Sequence, residues 1–161
     1  MRLLVCPGSA VPRLLAQEAV DHVLTLISPD AEVSSVTVPR TLLRFNDIAE
    51  ARPGLIPPNA GTVAAILELG SEQTLLIHCH AGVSRSTAAA YILACAARPK
   101  GYEQSLAAHL RAACPEATPN PLMVALADQA LGRGGAMVRA IAGIGRGVDA
   151  FEGTVIDWRL T

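Results

Sequence analysis

The sequence has no excess of basic residues: 13 lysines and arginines stand against 14 acidic residues, for a net charge of −1. Proteins that bind nucleic acid or an anionic membrane through general charge need such an excess. Neither partner is expected, and any anion site must be local. Long apolar runs are also missing. The longest, Ala88 to Ala97, is bounded by Arg85 and Arg98 and falls well short of the ~20 residues of a membrane span. The N-terminal MRLLVCPGSAVPRLL is broken by Pro7, Pro12 and Arg13, which makes it a poor signal peptide. No CxxC spacing occurs among Cys6, Cys79, Cys95 and Cys114, so neither a zinc site nor a redox dithiol is indicated. A cytoplasmic protein with reduced thiols is expected. Aromatics are 3% of the chain against 51% hydrophobic residues, so Ala, Leu and Val must fill most of the core. The length suits a single domain spanning residues 1–161.

Along the chain, Arg2–Cys6, His22–Ile27 and Thr74–His78 read as short buried strands. Glu32–Val38 and Leu42–Phe45 are two further strand candidates. Pro12–Ala19 and Asn59–Gly70 read as helices, the second with an Asn cap and a Gly stop. Downstream the pattern is helical: Arg85–Ala97, apolar nearly all round and so buried, then Tyr102–Cys114, Asn120–Leu131 and Met137–Ile144. From Gly145 the chain reads as an irregular tail, with Phe151 and Trp158 anchoring it to the body. Arg133, Arg139 and Arg146 are too dispersed to form a patch. The fold class is α/β: a central, mostly parallel sheet flanked by helices, with a helical C-terminal half.

The most informative stretch is LLIHCHAGVSRSTAAAYILA, Leu75 to Ala94. A strand, a loop of small residues and a buried helix follow one another. Open α/β folds place ligands at the carboxyl end of such a strand. Unpaired N–H groups and the positive end of the helix dipole point there. Ala81, Gly82, Val83 and Ser84 can curl so that successive N–H groups converge on one anion, and Gly82 permits an unusual φ. Arg85 closes the ring with a planar fork matched to two phosphate oxygens. Such surroundings favour a thiolate at Cys79. A nucleophile under a phosphate-binding ring describes phosphoryl transfer to sulfur.

HCHAGVSRS, His78 to Ser86, resembles the signature of the cysteine-dependent protein tyrosine phosphatases: His-Cys, five residues, Arg, then Ser or Thr. The small size resembles the dual-specificity branch and its bacterial relatives. The resemblance covers roughly Val20 to Leu131 in layout and is loose outside Leu75 to Ala90. It implies a dual-specificity-phosphatase-like fold and no cofactor or metal. It implies that Cys79 attacks phosphorus to form a cysteinyl-phosphate. Arg85 and the amides of the loop from His80 to Arg85 hold the equatorial oxygens. Ser86 donates to the Cys79 sulfur and helps it leave, and His78 orients the loop from behind. His80 either contacts substrate or is merely exposed. The substrate is a phosphorylated protein or a small phosphomonoester, and phosphate, sulfate or vanadate would occupy the loop.

The resemblance also requires an acid for the leaving group, a proton worth about 10²–10⁴ in rate, from an Asp some thirty residues before the cysteine. Asp47, in RFNDIAEARPG, stands there. It is the acid and then the base for water, or else the cap of a helical turn. Glu50 is the understudy, and Asp30 lies too far upstream. In TPNPLM, Asn120 either bonds the catalytic loop or only caps a helix. Cys6, Cys95 and Cys114 read as packing residues, with a reversible disulfide between Cys6 and Cys79 as the alternative for the first. Two other functions remain open: a rhodanese-like sulfurtransferase, and a non-catalytic phosphoprotein-binding module.

Overall fold

The computed structural model describes residues 1–161. Its centre is a five-stranded sheet of order β3-β2-β4-β1-β5. The strands are β1 (Arg2–Pro7), β2 (His22–Ile27), β3 (Arg40–Arg44), β4 (Thr74–Cys79) and β5 (Ile156–Arg159). The first four run parallel, while β5 lies antiparallel on β1. The helices are α1 (Val11–Gln17), α2 (Ala60–Glu68), α3 (Arg85–Ala96), α4 (Glu103–Ala113), α5 (Pro121–Ala130) and α6 (Ala136–Ile144). None is long and apolar enough to cross a membrane.

The central strands read as unbroken apolar runs because both faces of the sheet are covered. Along β1, Leu4 and Cys6 pack toward α1 in a small cluster with Val11, Leu14, Val23 and Leu76. Leu3 and Val5 face the main core on the other side, with α3. Helix α3 is buried from Arg85 to Cys95, so its apolar residues need no polar face. Asn59 caps α2 in a reciprocal capping box with Thr62, as its sequence context suggested.

Three expectations fail. Glu32–Val38 forms no strand. Its valines suit an extended chain, but Val36 and Val38 pack on the small cluster under α1. They cover the face of the sheet, not its edge, which β3 occupies. Arg44 Nη1 ties the start of this segment down through the Pro29 and Ala31 carbonyls, at 2.9 and 2.8 Å. The C-terminal tail, in turn, is only partly irregular. It ends in β5, clamped by a fork from Arg2 to Asp157 at 2.7 and 2.8 Å. Trp158 anchors it, stacked on His109 with centroids 4.7 Å apart. Phe151 anchors nothing, being wholly exposed. Arg133 forms a buried pair with Glu103 at 2.7 Å and donates to the Cys95 and Arg98 carbonyls.

Candidate active site

Residues 80–84 link the end of β4 to the start of α3, and four donors from distant segments grip the carbonyls of this loop. Gly8 N donates to His80 O at 3.1 Å, Gly153 N to Ala81 O at 2.8 Å, Thr118 N to Val83 O at 2.9 Å, and Asn120 N to Ser84 O at 3.3 Å. With the carbonyls taken by these donors, the loop amides are left available to another acceptor. Among those from Ala81 to Arg85, only Gly82 N has a protein partner, the Cys79 sulfur at 3.3 Å. Gly82 has φ +70°, and a Cβ there would lie 2.5 Å from Pro7 N. A glycine is required for both reasons.

The Cys79 sulfur, 3% exposed, also meets Ser86 Oγ at 3.1 Å. Burial pushes the other thiols up, Cys6 and Cys95 to about 12 and Cys114 to about 11. All four cysteines are free thiols. Cys6 is in register with His78 and Cys79 with Pro7, and the two side chains belong to clusters on opposite faces of the sheet.

Arg85 is 6% exposed. Its Nη1 donates to Phe45 O at 2.8 Å and to Ser28 Oγ at 3.3 Å, which fixes the plane of the guanidinium. Its Nε is buried with no partner. An unpaired buried donor of this kind is unfavourable unless an acceptor arrives. His78 pairs through Nε2 with Thr25 Oγ1 at 2.7 Å, and burial lowers its pKa and keeps it neutral. His80 is exposed.

Asp47 sits on the rim. Its Oδ1 accepts from Ser84 Oγ and from Asn120 Nδ2, each at 2.8 Å. The first bond explains why Ser84, at the N-cap position of α3, makes no side-chain cap. No helix begins at Asp47, so the capping alternative falls. Glu50 instead faces Arg52 in solvent at 3.8 Å. Asn120 does both things open to it. Its Oδ1 caps α5 by accepting from Met123 N at 2.9 Å, while its Nδ2 holds Asp47 and its main-chain N–H holds the loop at Ser84 O.

The structure thus brings Cys79, Ser86, Arg85, Ser84, Asp47 and Asn120 together around one turn. Sequence reasoning missed Gly8, Thr118 and Gly153, which act through their main-chain amides, and Ser28, Phe45 and Thr25, which orient Arg85 and His78.

No protein-family model matches the sequence, and no curated protein matches it significantly. Solved structures do resemble the fold. The crystal structure of DUSP15 superposes with a TM-score of 0.62 at 17% identity, covering 88% of this chain and 89% of that one. The Yvh1 phosphatase domain from Chaetomium thermophilum gives 0.56 at 16% identity, covering 84% and 93%. At these identities the likeness speaks for architecture: the chain has the fold of the dual-specificity phosphatases.

Proposed function

We propose that the protein is a metal-independent phosphomonoester hydrolase of the tyrosine or dual-specificity phosphatase type. The observation that carries this reading is the turn itself: a cysteine sulfur meeting an amide and a hydroxyl, in a loop whose other amides have no protein acceptor, beside an arginine whose buried Nε has no partner.

The phosphate dianion would lie between the loop amides and the free edge of the Arg85 guanidinium. These donors are pre-oriented, so they stabilise the charge spread over the equatorial oxygens in the transition state. Cys79 Sγ attacks phosphorus, an S–P bond forms and the P–O ester bond breaks. The departing oxygen takes a proton from Asp47. Water then attacks phosphorus, Asp47 takes the proton back, and the S–P bond breaks. The thiolate leaves with the Ser86 hydroxyl donating to it. The hold on Asp47 by Ser84 and Asn120 supports its role, because it links the acid's position to that of the loop. His78, neutral and tied to Thr25, positions the strand end from behind. The lack of a charged side chain among residues 81–84 favours singly phosphorylated groups in the cup itself. Action in the cytoplasm on phosphorylated proteins belongs to the same proposal.

The test is hydrolysis of p-nitrophenyl phosphate in EDTA. Activity that vanadate inhibits and Cys79→Ser abolishes is the expected outcome. Phosphate binding without turnover would reassign the chain as a binding module. Thiosulfate:cyanide sulfur transfer without phosphatase activity would reassign it to the rhodanese type.

A further inference from the structure

Two buried side-chain nitrogens in the whole molecule have no hydrogen-bond partner: Arg85 Nε and Arg40 Nε. Both arginines line one cavity of about 380 Å³ on the α1 face of the sheet, within the size range of small-molecule sites. Its polar floor, Thr25 and His78, is already satisfied internally. Its walls are largely apolar, with Val11 and Leu15 of α1 facing Val33 and Val36 of the 28–39 segment. Cys79 and His80 border it beside Arg85, so it opens onto the catalytic loop.

Arg40 is the feature that catalysis leaves unexplained. It starts β3, in register with Val23, which is in register with Leu76. It therefore stands three residues down the strand direction from Cys79, about 10 Å, and two strand spacings of about 4.8 Å across. Its Nη1 donates to Ser34 O at 2.7 Å, which fixes the guanidinium in the wall. Burial works against its charge, and neither an ion pair nor any bond at Nε offsets this. Glu32 also lines the cavity but is exposed, and His78 is neutral, so the two arginines leave the cavity net positive.

We propose that this cavity is a second anion subsite, and that the substrate is a phosphomonoester whose apolar body carries a further anionic group, phosphate or carboxylate, received by Arg40. The inference rests on the phosphatase reading for the placement of the first phosphate. In the bound state the ester phosphate satisfies Arg85 Nε, the apolar linker lies between α1 and Val33 and Val36, and the second anion satisfies Arg40 Nε. A single phosphomonoester leaves the second donor unpaired.

Calorimetry on the Cys79→Ser chain, which cannot turn over, tests the subsite directly. Hexane-1,6-diol bisphosphate is expected to bind about 10- to 100-fold more tightly than hexyl phosphate, the size of one charge-assisted hydrogen bond. Adding Arg40→Ala should bring that ratio to near 1, and adding Arg40→Lys should restore part of it, since a point charge replaces the fork incompletely. Propane and nonane analogues read out the spacing. A ratio near 1 in the Cys79→Ser chain, a ratio unchanged by Arg40→Ala, or no binding of either ligand overturns the proposal. Thermal midpoints confirm that each variant is folded, and Arg40→Gln replaces Arg40→Ala if that one is not. The phosphatase reading fails separately: a binding ratio that behaves as expected in a chain releasing no phosphate from p-nitrophenyl phosphate keeps the subsite and removes the hydrolase.

Discussion

Gly153 is 71 residues beyond Gly82 in sequence and directly against it in space, so Gly153→Ala reports on whether the segment between α6 and β5, a strap over the loop, is part of the active site. A Cβ at Gly153 would lie 2.4 Å from the Gly82 carbonyl oxygen and 3.1 Å from its carbon, where ordinary contact begins at 3.4 Å. About 1 Å of movement is therefore needed. Both clashing atoms are main chain, so no flexible side chain can swing away. Either the strap lifts and the bond from Gly153 N to Ala81 O breaks, or the loop shifts. Overpacking of this kind destabilises by about 1–3 kcal/mol, which for a chain of this length lowers Tm by about 2–12 °C. A 1 Å misplacement of a catalytic group lowers the rate by roughly 10²-fold. The assay pairs kcat on p-nitrophenyl phosphate with calorimetric unfolding. Phe151→Ala serves as the control within the strap, since that ring is fully exposed and its loss should leave Tm within about 0.5 kcal/mol of equivalent change. Gly153→Ala with the parent's Tm and a rate within twofold would refute the packing argument. A lowered Tm with full kcat would make the strap structural only.

Iodoacetate at neutral pH is expected to alkylate one thiol of four in the folded chain, at Cys79, because burial holds the other three thiols protonated. Intact-mass analysis showing a second adduct, or one surviving in Cys79→Ser, counts against this. Asp47→Asn keeps an oxygen for Ser84 and Asn120 to bond but has no proton to give. It should lower kcat by about 10²–10⁴ on phenyl phosphate and by less on the better p-nitrophenolate leaving group; equal effects on both would remove Asp47 as the acid. Arg133→Met strands the buried Glu103 carboxylate and should destabilise by about 3–5 kcal/mol, whereas the double variant with Glu103→Leu should recover much of that. His78 has a folded pKa below its ordinary 6.5 because of burial. The unfolded chain thus binds a proton that the folded one refuses, and stability falls as pH drops below about 6.5, by up to about 1.4 kcal/mol per pH unit. Denaturant titrations from pH 7 to 5 should show that slope flattened in His78→Gln.

What was legible in the sequence follows a physical rule. Strands buried on both faces, such as Thr74–Cys79, are apolar wherever no polar partner is at hand, and a helix sunk between layers, such as Arg85–Ala96, has no polar face. Both requirements write themselves into side chains. Glu32–Val38 misled because valine-rich sequence suits any half-buried extended chain, and only the position of β3 decides that this one lies on the face. Strand β5 was missed because four residues, two in and two out, follow a glycine-rich stretch and draw their order from pairing with β1.

The site divides along the same line. In the proposed reaction Cys79, Arg85, Ser86 and Asp47 act through side chains, and their types and spacing can be read. The scaffold that turns the loop's carbonyls outward is made of main-chain amides from Gly8, Thr118, Asn120 and Gly153. Every residue except proline has such an amide, so these donors have no letter of their own in the sequence. Their placement comes from where β1 ends, where α5 begins and where the strap crosses. The cup is thus a property of the assembled fold. The nine residues from His78 to Ser86 supply its lining, and three remote segments hold it in shape. Substitution at those segments should therefore impair the site without touching any residue of the motif.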